Sequence, residues 1–456
     1  LVREGGARGL DGLTGTAPRR GLLERLLRPL SEVHEGEGAA ALLLFSNLFL
    51  LMVGYYVLKT VREPLILAEG GAELTSYAAA VQAVLLMGFV PLYGWFSGKV
   101  DRRRLMVGVT LFFVVCLELF WLGGFAGVPH LGFVFFVWLG IFNMSMPAQF
   151  WSYANDVYTR AQGERLFPVI YLGASVGSPL GAKVAGEMFG QGVGPYALMQ
   201  VSAVLLLAHM ALYVVIDRRV TRAPREAAAP AAPREALGGP GGFTLILRSG
   251  YLRLLVAMLI LFSIVNTTGE YIIRRSVKAV ADGLASDEAR QSFIGSFYGD
   301  YFFWVNVSAV LLQAFVASRL VKHAGIAGAV LALPLVSLGA YGLIAAGATF
   351  ATVRWAKTAE NATDYSIMNT ARQLLWLPTS REEKYKAKQA ADTFFVRIGD
   401  MVSAGVVFAG TTWLGLDVMG FAWTNVAVVA LWILVAVALI RRHHALAQQQ
   451  QGARAA

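Results

Sequence analysis

The chain has 456 residues, 56% hydrophobic and only 15% charged, with 27 Phe, 10 Trp and a net charge of +10. So apolar a composition over this length excludes an ordinary soluble domain or a disordered chain and leaves an integral membrane protein. Its single cysteine, Cys116, excludes an intrachain disulfide and a cysteine-built metal cluster.

Residues 1–38 are polar and rich in Arg and Gly, so no cleavable signal peptide is expected there. The first predicted span, centred near Leu48, runs straight into "YYVLKTVREPLIL". There Lys59 and Arg62 continue a face begun by Asn47, Leu51 and Tyr55, with Glu63 beside them. Charge at membrane depth is expensive and marks function by default. A spanning helix needs about 20 mostly apolar residues. Further segments of this kind centre near Met87, Val115, Phe136, Ser178 and Leu206. Glu118 in the third span reads equally as a hydrogen-bonded packing residue or a functional one. The fourth aligns Gln149, Ser152, Asp156 and Thr159, with Asn155 adjacent. In the fifth, Gly173, Gly177 and Gly181 read as a close-packing face rather than a phosphate loop. Lys183 and Glu187, four apart, are expected to pair with each other.

Residues 217–242 form a Pro/Ala/Arg linker with no apolar period; its basic residues suit anionic lipid headgroups, and no nucleic-acid partner is needed. Beyond it, spans centre near Ile260, Val307, Val336, Val402 and Val429. The seventh sets Asn266, Glu270 and Arg274 at four-residue steps. Residues 349–378 are too polar for a hydropathy scan, yet Lys and Arg concentrate in alternate loops, including those near Lys322 and Lys384. The positive-inside rule places both of those loops in the cytoplasm, so two helices must lie between them. The polar segment is then the tenth helix, with Arg354, Lys357, Asn361, Asp364, Met368 and Arg372 on one continuous face. In the eleventh, Arg397 and Asp400 stand one turn apart, as a site or as an interbundle lock. His443 and His444 read as interfacial.

The predicted fold is an all-α membrane protein of twelve transmembrane helices in two six-helix bundles, with both termini cytoplasmic. This plan resembles the major facilitator superfamily. The expected divisions are a cytoplasmic segment 1–38, a bundle 39–216, a linker 217–250, a second bundle 251–440 and a tail 441–456. A site between repeated halves near the midplane is expected. The localisation expected is a bacterial inner membrane, multi-pass, as a monomer.

Several stretches resemble the nucleotide transporter family, the ATP/ADP translocases. "FWSYANDVYTRAQGERLFPVIYLGASVG", "YYVLKTVREPLIL", "NTTGEYIIRRSVK" and "DYSIMNTARQLLWLPTSREEKYKAKQAADTFFVRIGD" match that family's segments, sampling both halves. The resemblance implies Arg62, Glu270 and Lys388 as leading transport residues, with Glu63, Asn155, Arg372 and Arg397 behind them. Arg62 stands where the family has Lys, Asp364 and Asp400 where it is often basic, Asn369 where it has Asp, and Gln373 where it has Glu.

The substrate-binding set is therefore Lys59, Arg62, Asn155, Arg274, Arg372, Lys388 and Arg397. The coupling or gating carboxylates are Glu63, Asp156, Glu270, Asp364 and Asp400. Arg offers a planar fork to phosphate oxygens and Lys a point charge. The expected function is antiport of nucleotides or related phosphorylated anions by alternating access, with no metal, no cofactor and no catalysis. Two alternatives stay open: a proton-coupled carrier of another organic anion, with Glu270 or Asp364 bearing the proton, and a non-transporting membrane sensor or scaffold.

Overall fold

Two glycines turn long helices back on themselves. The first helix, α1 (Glu37–Ser97), runs for 61 residues but breaks at Gly70 and Gly71, where Gly71 has φ 69°. That left-handed backbone is strained for any side chain and suits glycine. Unbroken, α1 would measure about 90 Å, three times a bilayer core. The break folds it back. Gly325, with φ 62°, interrupts α9 (Ser318–Ala345) in the same way.

The computed structural model describes residues 32–34, 37–97, 99–222 and 240–455. The readings of residues 1–31, Gly98 and the middle of the linker lie outside the described residues. Among these residues every element is helical. After α1 come α2 (Arg102–Phe125), α3 (Leu131–Val157), α4 (Arg160–Gly190), α5 (Pro195–Arg222) and the short α6 (Gly242–Arg248). Next are α7 (Gly250–Ala281), α8 (Asp287–Leu312), α9, α10 (Phe350–Thr363), α11 (Asn369–Leu375), α12 (Lys388–Ala390), α13 (Val396–Thr412) and α14 (Val418–Ala455). Local sequence starts several of them. Thr159 and Gln162 form a capping box at α4, and Ser249, Ser286 and Thr349 accept backbone N–H groups at α7, α8 and α10.

Eight helices among the described residues are long and apolar enough to cross a membrane, so the protein is multi-pass. The helix around Ser178 and the polar one around Lys357 fall outside these eight. Large apolar side chains such as Leu119, Leu122, Val204 and Leu434 stand exposed, as a lipid-facing surface requires.

Buried apolar residues gather in two main groups. One holds Leu44 through Ile216; the other lies mostly in Ile246 through Ile440 and takes in Tyr56, Leu67, Ala72 and Ala182 from the first half. The glycine stripe of α4 packs on α1. A Cβ at Gly177 or Gly181 would come within 2.7 or 2.5 Å of the carbonyl oxygens of Phe49 and Val53, and one at Gly173 would collide with that of Phe45. The close-packing reading of those glycines therefore describes what they do.

The two halves meet toward one end. Tyr56 donates to Asn306 Oδ1 at 3.0 Å, Tyr271 to Glu73 at 2.8 Å, and Ser292 to the Phe189 carbonyl at 2.5 Å. Tyr77 meets Phe408 ring to ring. This end also holds the turns at Gly71 and His130, joined by Glu69 accepting from Gly132 and Phe133 N–H groups. We call it the Gly192 end, after the turn between α4 and α5.

Candidate functional site

Near this junction α1 carries a run of charge into the interior. Glu63 is fully buried and holds two guanidiniums, Arg62 of its own helix and Arg274 of α7. Arg274 Nε donates to Glu63 at 2.9 Å, and its Nη2 lies 3.5 Å from Glu270. Glu270 accepts from Asn361 at 2.8 Å and lies 3.9 Å from the Lys357 ammonium. Lys357, with no exposed surface, ends the chain of charges on Glu360 at 2.5 Å. Tyr341 and Ser337 donate to the same carboxylate at 2.7 and 2.9 Å.

Charge alternates along this line. Arg62, Arg274 and Lys357 are balanced by Glu63, Glu270 and Glu360. Lys59 stands beside the line with a different neighbourhood. Its ammonium sits over the rings of Phe302 at 4.4 Å, Tyr56 at 5.0 Å and Tyr365 at 5.8 Å, and no described carboxylate is within ion-pairing reach. The cluster thus holds one more cation than it neutralises. An aromatic seat stabilises such a cation while leaving its N–H groups free for an incoming acceptor.

Of the predicted residues, the structure brings together Lys59, Arg62, Glu63, Glu270 and Arg274. Others stand apart. Asp156 is half exposed and pairs with Arg102, while Asn155 donates back to the Trp151 carbonyl of its own helix. Lys388 reaches Gln373 at 2.7 Å, Arg372 reaches Asp392 at 3.1 Å, and Arg397 reaches Asp400 at 3.2 Å. Asp400 also accepts from Ser263 and Thr267 of α7, so this pair joins helices of the second half rather than locking the two halves.

The sequence predicts one continuous polar face from Arg354 to Arg372; the structure divides it. A π-helical turn, Asp364–Met368, adds a residue to the helix and re-aims the side chains beyond it. Arg354 goes to Asp300, Lys357 and Asn361 enter the central line, and Met368 is fully buried. Asp364 makes no side-chain hydrogen bond or ion pair to a described residue. It borders a narrow crevice with Glu360, Asn266 and Trp432.

Sequence reasoning passed over Glu360, Tyr341, Tyr301, Asp300 and Glu73. Glu360 had a legible signal, three residues after Lys357 on the same face. Glu73 and Asp300 had none, because their partners are far away in the chain. Glu118 takes the packing reading, accepting from Gln200, and His443 is a partner of Tyr251.

The sequence model of a family described as TLC ATP/ADP transporter matches residues 134–361, half of the chain. ADP,ATP carrier protein 1 of Chlamydia trachomatis serovar D is 23% identical over 461 aligned positions, covering 85% of this chain and 84% of that protein. Its counterpart in Chlamydia muridarum is 22% identical with the same coverage. Among solved structures, the nucleoside transporter NupG superposes with a TM-score of 0.64 at 11% identity, covering 88% of this chain and 98% of that one. A bacterial homologue of the iron transporter ferroportin, in an inward-facing state, gives 0.64 at 14% identity, with the same coverage. At these identities the structural likeness is one of fold.

Proposed function

The chain belongs to the TLC ATP/ADP transporter family, and from that premise we propose that it exchanges nucleotides across a membrane by alternating access, gated by the ionic line through Glu63. It is a transporter, not an enzyme. The observation that carries the mechanism is Glu63, a fully buried carboxylate of the first half that holds Arg274 of the second.

Each cation of the line has a carboxylate while the site is empty. A phosphate group brings oxygens that compete for the same N–H donors, and Lys59 supplies the first uncommitted positive charge. Loading therefore loosens the carboxylate contacts that hold the halves together at the Gly192 end. Without substrate those contacts stay made. Substrate shifts the equilibrium because its affinity differs between the two arrangements, which is what obligatory exchange requires. Lys59, Arg62 and Arg274 are assigned to phosphate. Glu63 and Glu270 are assigned to gating, and Arg372, Lys388, Arg397 and Asp400 to the flank of the path.

The same reading takes α1 and the α8–α9 stretch as two crossings each. It adds α4 and the α10–α11 segment, for twelve spans in two bundles with the linker between them. The Gly192 end then faces outward, and both termini face the cytoplasm of a bacterial inner membrane. The functional unit is taken as a monomer.

Purified protein in liposomes tests the exchange. Uptake of labelled ATP should depend on ADP or ATP enclosed on the far side and collapse in its absence. Uptake that instead follows an imposed pH gradient, with empty liposomes, would refute exchange. It would favour the proton-coupled reading, for which Asp364, unpaired among the described residues, is the supporting observation.

A further inference from the structure

A second group of charges, away from the central line, also joins the halves. Lys183 and Glu187 lie on α4; Asp300 lies on α8 and Arg354 on α10. The Lys183 ammonium is 2.8 Å from Glu187 on its own helix and 3.1 Å from Asp300 across the junction. Asp300 also pairs with Arg354, which rests against the rings of Phe297 and Trp355. Lys183, Glu187, Asp300 and Arg354 border a cavity of about 390 Å³. One turn away the helix backbones touch: a Cβ on Gly299 would collide with the Gly186 Cα.

We propose that Lys183 is a partner-exchanging latch: it closes the Gly192 end by holding Asp300 and releases it by falling back on Glu187. The arrangement of pairs carries this. Lys183 with Glu187 is neutral within the first half, and Arg354 with Asp300 is neutral within the second. Within this group only the Lys183–Asp300 contact crosses between halves. Parting the helices breaks that contact and leaves each cation a carboxylate of its own, so no charge is stranded near the membrane. The contact at Gly186 and Gly299 gives the helices a close seat to return to. Glu63 differs, because parting the halves leaves Arg274 only the longer contact with Glu270. The two closures are thus distinct: a strong one that substrate must loosen, and a weak one that swaps partners. Lys183, Glu187 and Asp300 act on the position of the helices and not on substrate.

This inference rests on the alternating access proposed above. Its test uses full-length protein in nanodiscs, with Cys116→Ser and spin labels on cysteines replacing Gln191 and Glu288, exposed residues on either side of the junction. Wild-type protein should show a short and a long distance, with the long one gaining population when ATP is added. Lys183→Gln removes the latch and should raise the long-distance share about two- to fivefold, the size of an exposed ion pair. Glu187→Gln leaves Asp300 as the only partner and should lower that share by a similar factor; Lys183→Arg should restore the wild-type ratio. Opposite signs from these variants cannot come from a general loosening of the fold. Shifts in one direction for both, or no shift in either, would overturn the latch while leaving exchange in place. A wild type that shows only the short distance with and without nucleotide would overturn alternating access as well.

Discussion

Replacing Glu63 by Gln removes one negative charge from a fully buried side chain that holds two guanidiniums at once. The amide keeps the size of the carboxylate and one acceptor oxygen but carries no charge to balance either arginine. Arg274 retains Glu270 at 3.5 Å, and Arg62 retains the Phe136 ring at 4.5 Å with 14% of its side chain exposed. Stranding a buried charge costs about 3–5 kcal/mol. Those remaining contacts place this case at the lower end, about 3 kcal/mol, or roughly a hundredfold in an equilibrium. Glu63 and Arg274 belong to different halves, so the loss falls on the state in which the halves meet. Ala72, 1% exposed and packed among second-half core residues, reports that state. With Cys116→Ser and Ala72→Cys, a membrane-impermeant maleimide should label Glu63→Gln protein at least about tenfold faster than its Glu63 parent. Nucleotide exchange should fall, and the unfolding temperature should change little. Unchanged labelling together with a large drop in unfolding temperature would refute the reasoning, because Glu63 would then serve folding and not closure.

Lys59→Met should weaken ATP and ADP by about ten- to a hundredfold, the value of a hydrogen bond to a charged group, and the nucleoside far less. Isothermal calorimetry with both ligands checks it. Glu360→Gln should act on stability instead: buried Lys357 loses its charged partner and one of the two acceptor oxygens shared with Tyr341 and Ser337 becomes a donor, and a loss of about 3 kcal/mol should lower the folded yield and the unfolding temperature. Cysteines in place of Gly192 and Ser380, both exposed, should be labelled only from outside and only from inside the cell, respectively. Outside labelling at Ser380 would break the twelve-span count.

Much of the helix inventory was legible from sequence because its cause is local. Apolar runs must be helical in lipid, where each backbone N–H and C=O needs a partner within the segment. Ser249, Ser286 and Thr349 act on N–H groups three residues away, so their capping follows from sequence. The stripe of Gly173, Gly177 and Gly181 is readable because a four-residue step fixes one face of one helix. The same logic anticipated the Lys183–Glu187 pair.

Contacts between helices are another matter, since spacing along one helix says nothing about which helix lies opposite. Lys183 takes Asp300 as well as Glu187, at a separation of 117 residues. Glu63 takes Arg274 across 211 residues. The polar face of the tenth predicted helix looked continuous because a uniform 3.6-residue period was assumed. The π-helical turn at Asp364–Met368 breaks that period, so Lys357 and Arg372 serve different neighbourhoods. Asn155 and Asp156 matched in type and spacing, yet the end of α3 leaves them with Trp151 and Arg102, away from the central line. Which residues carry charge into the membrane was written in the chain; which of those charges meet was decided by how the two halves pack, because pairing depends on the distance between helices and not on position along them.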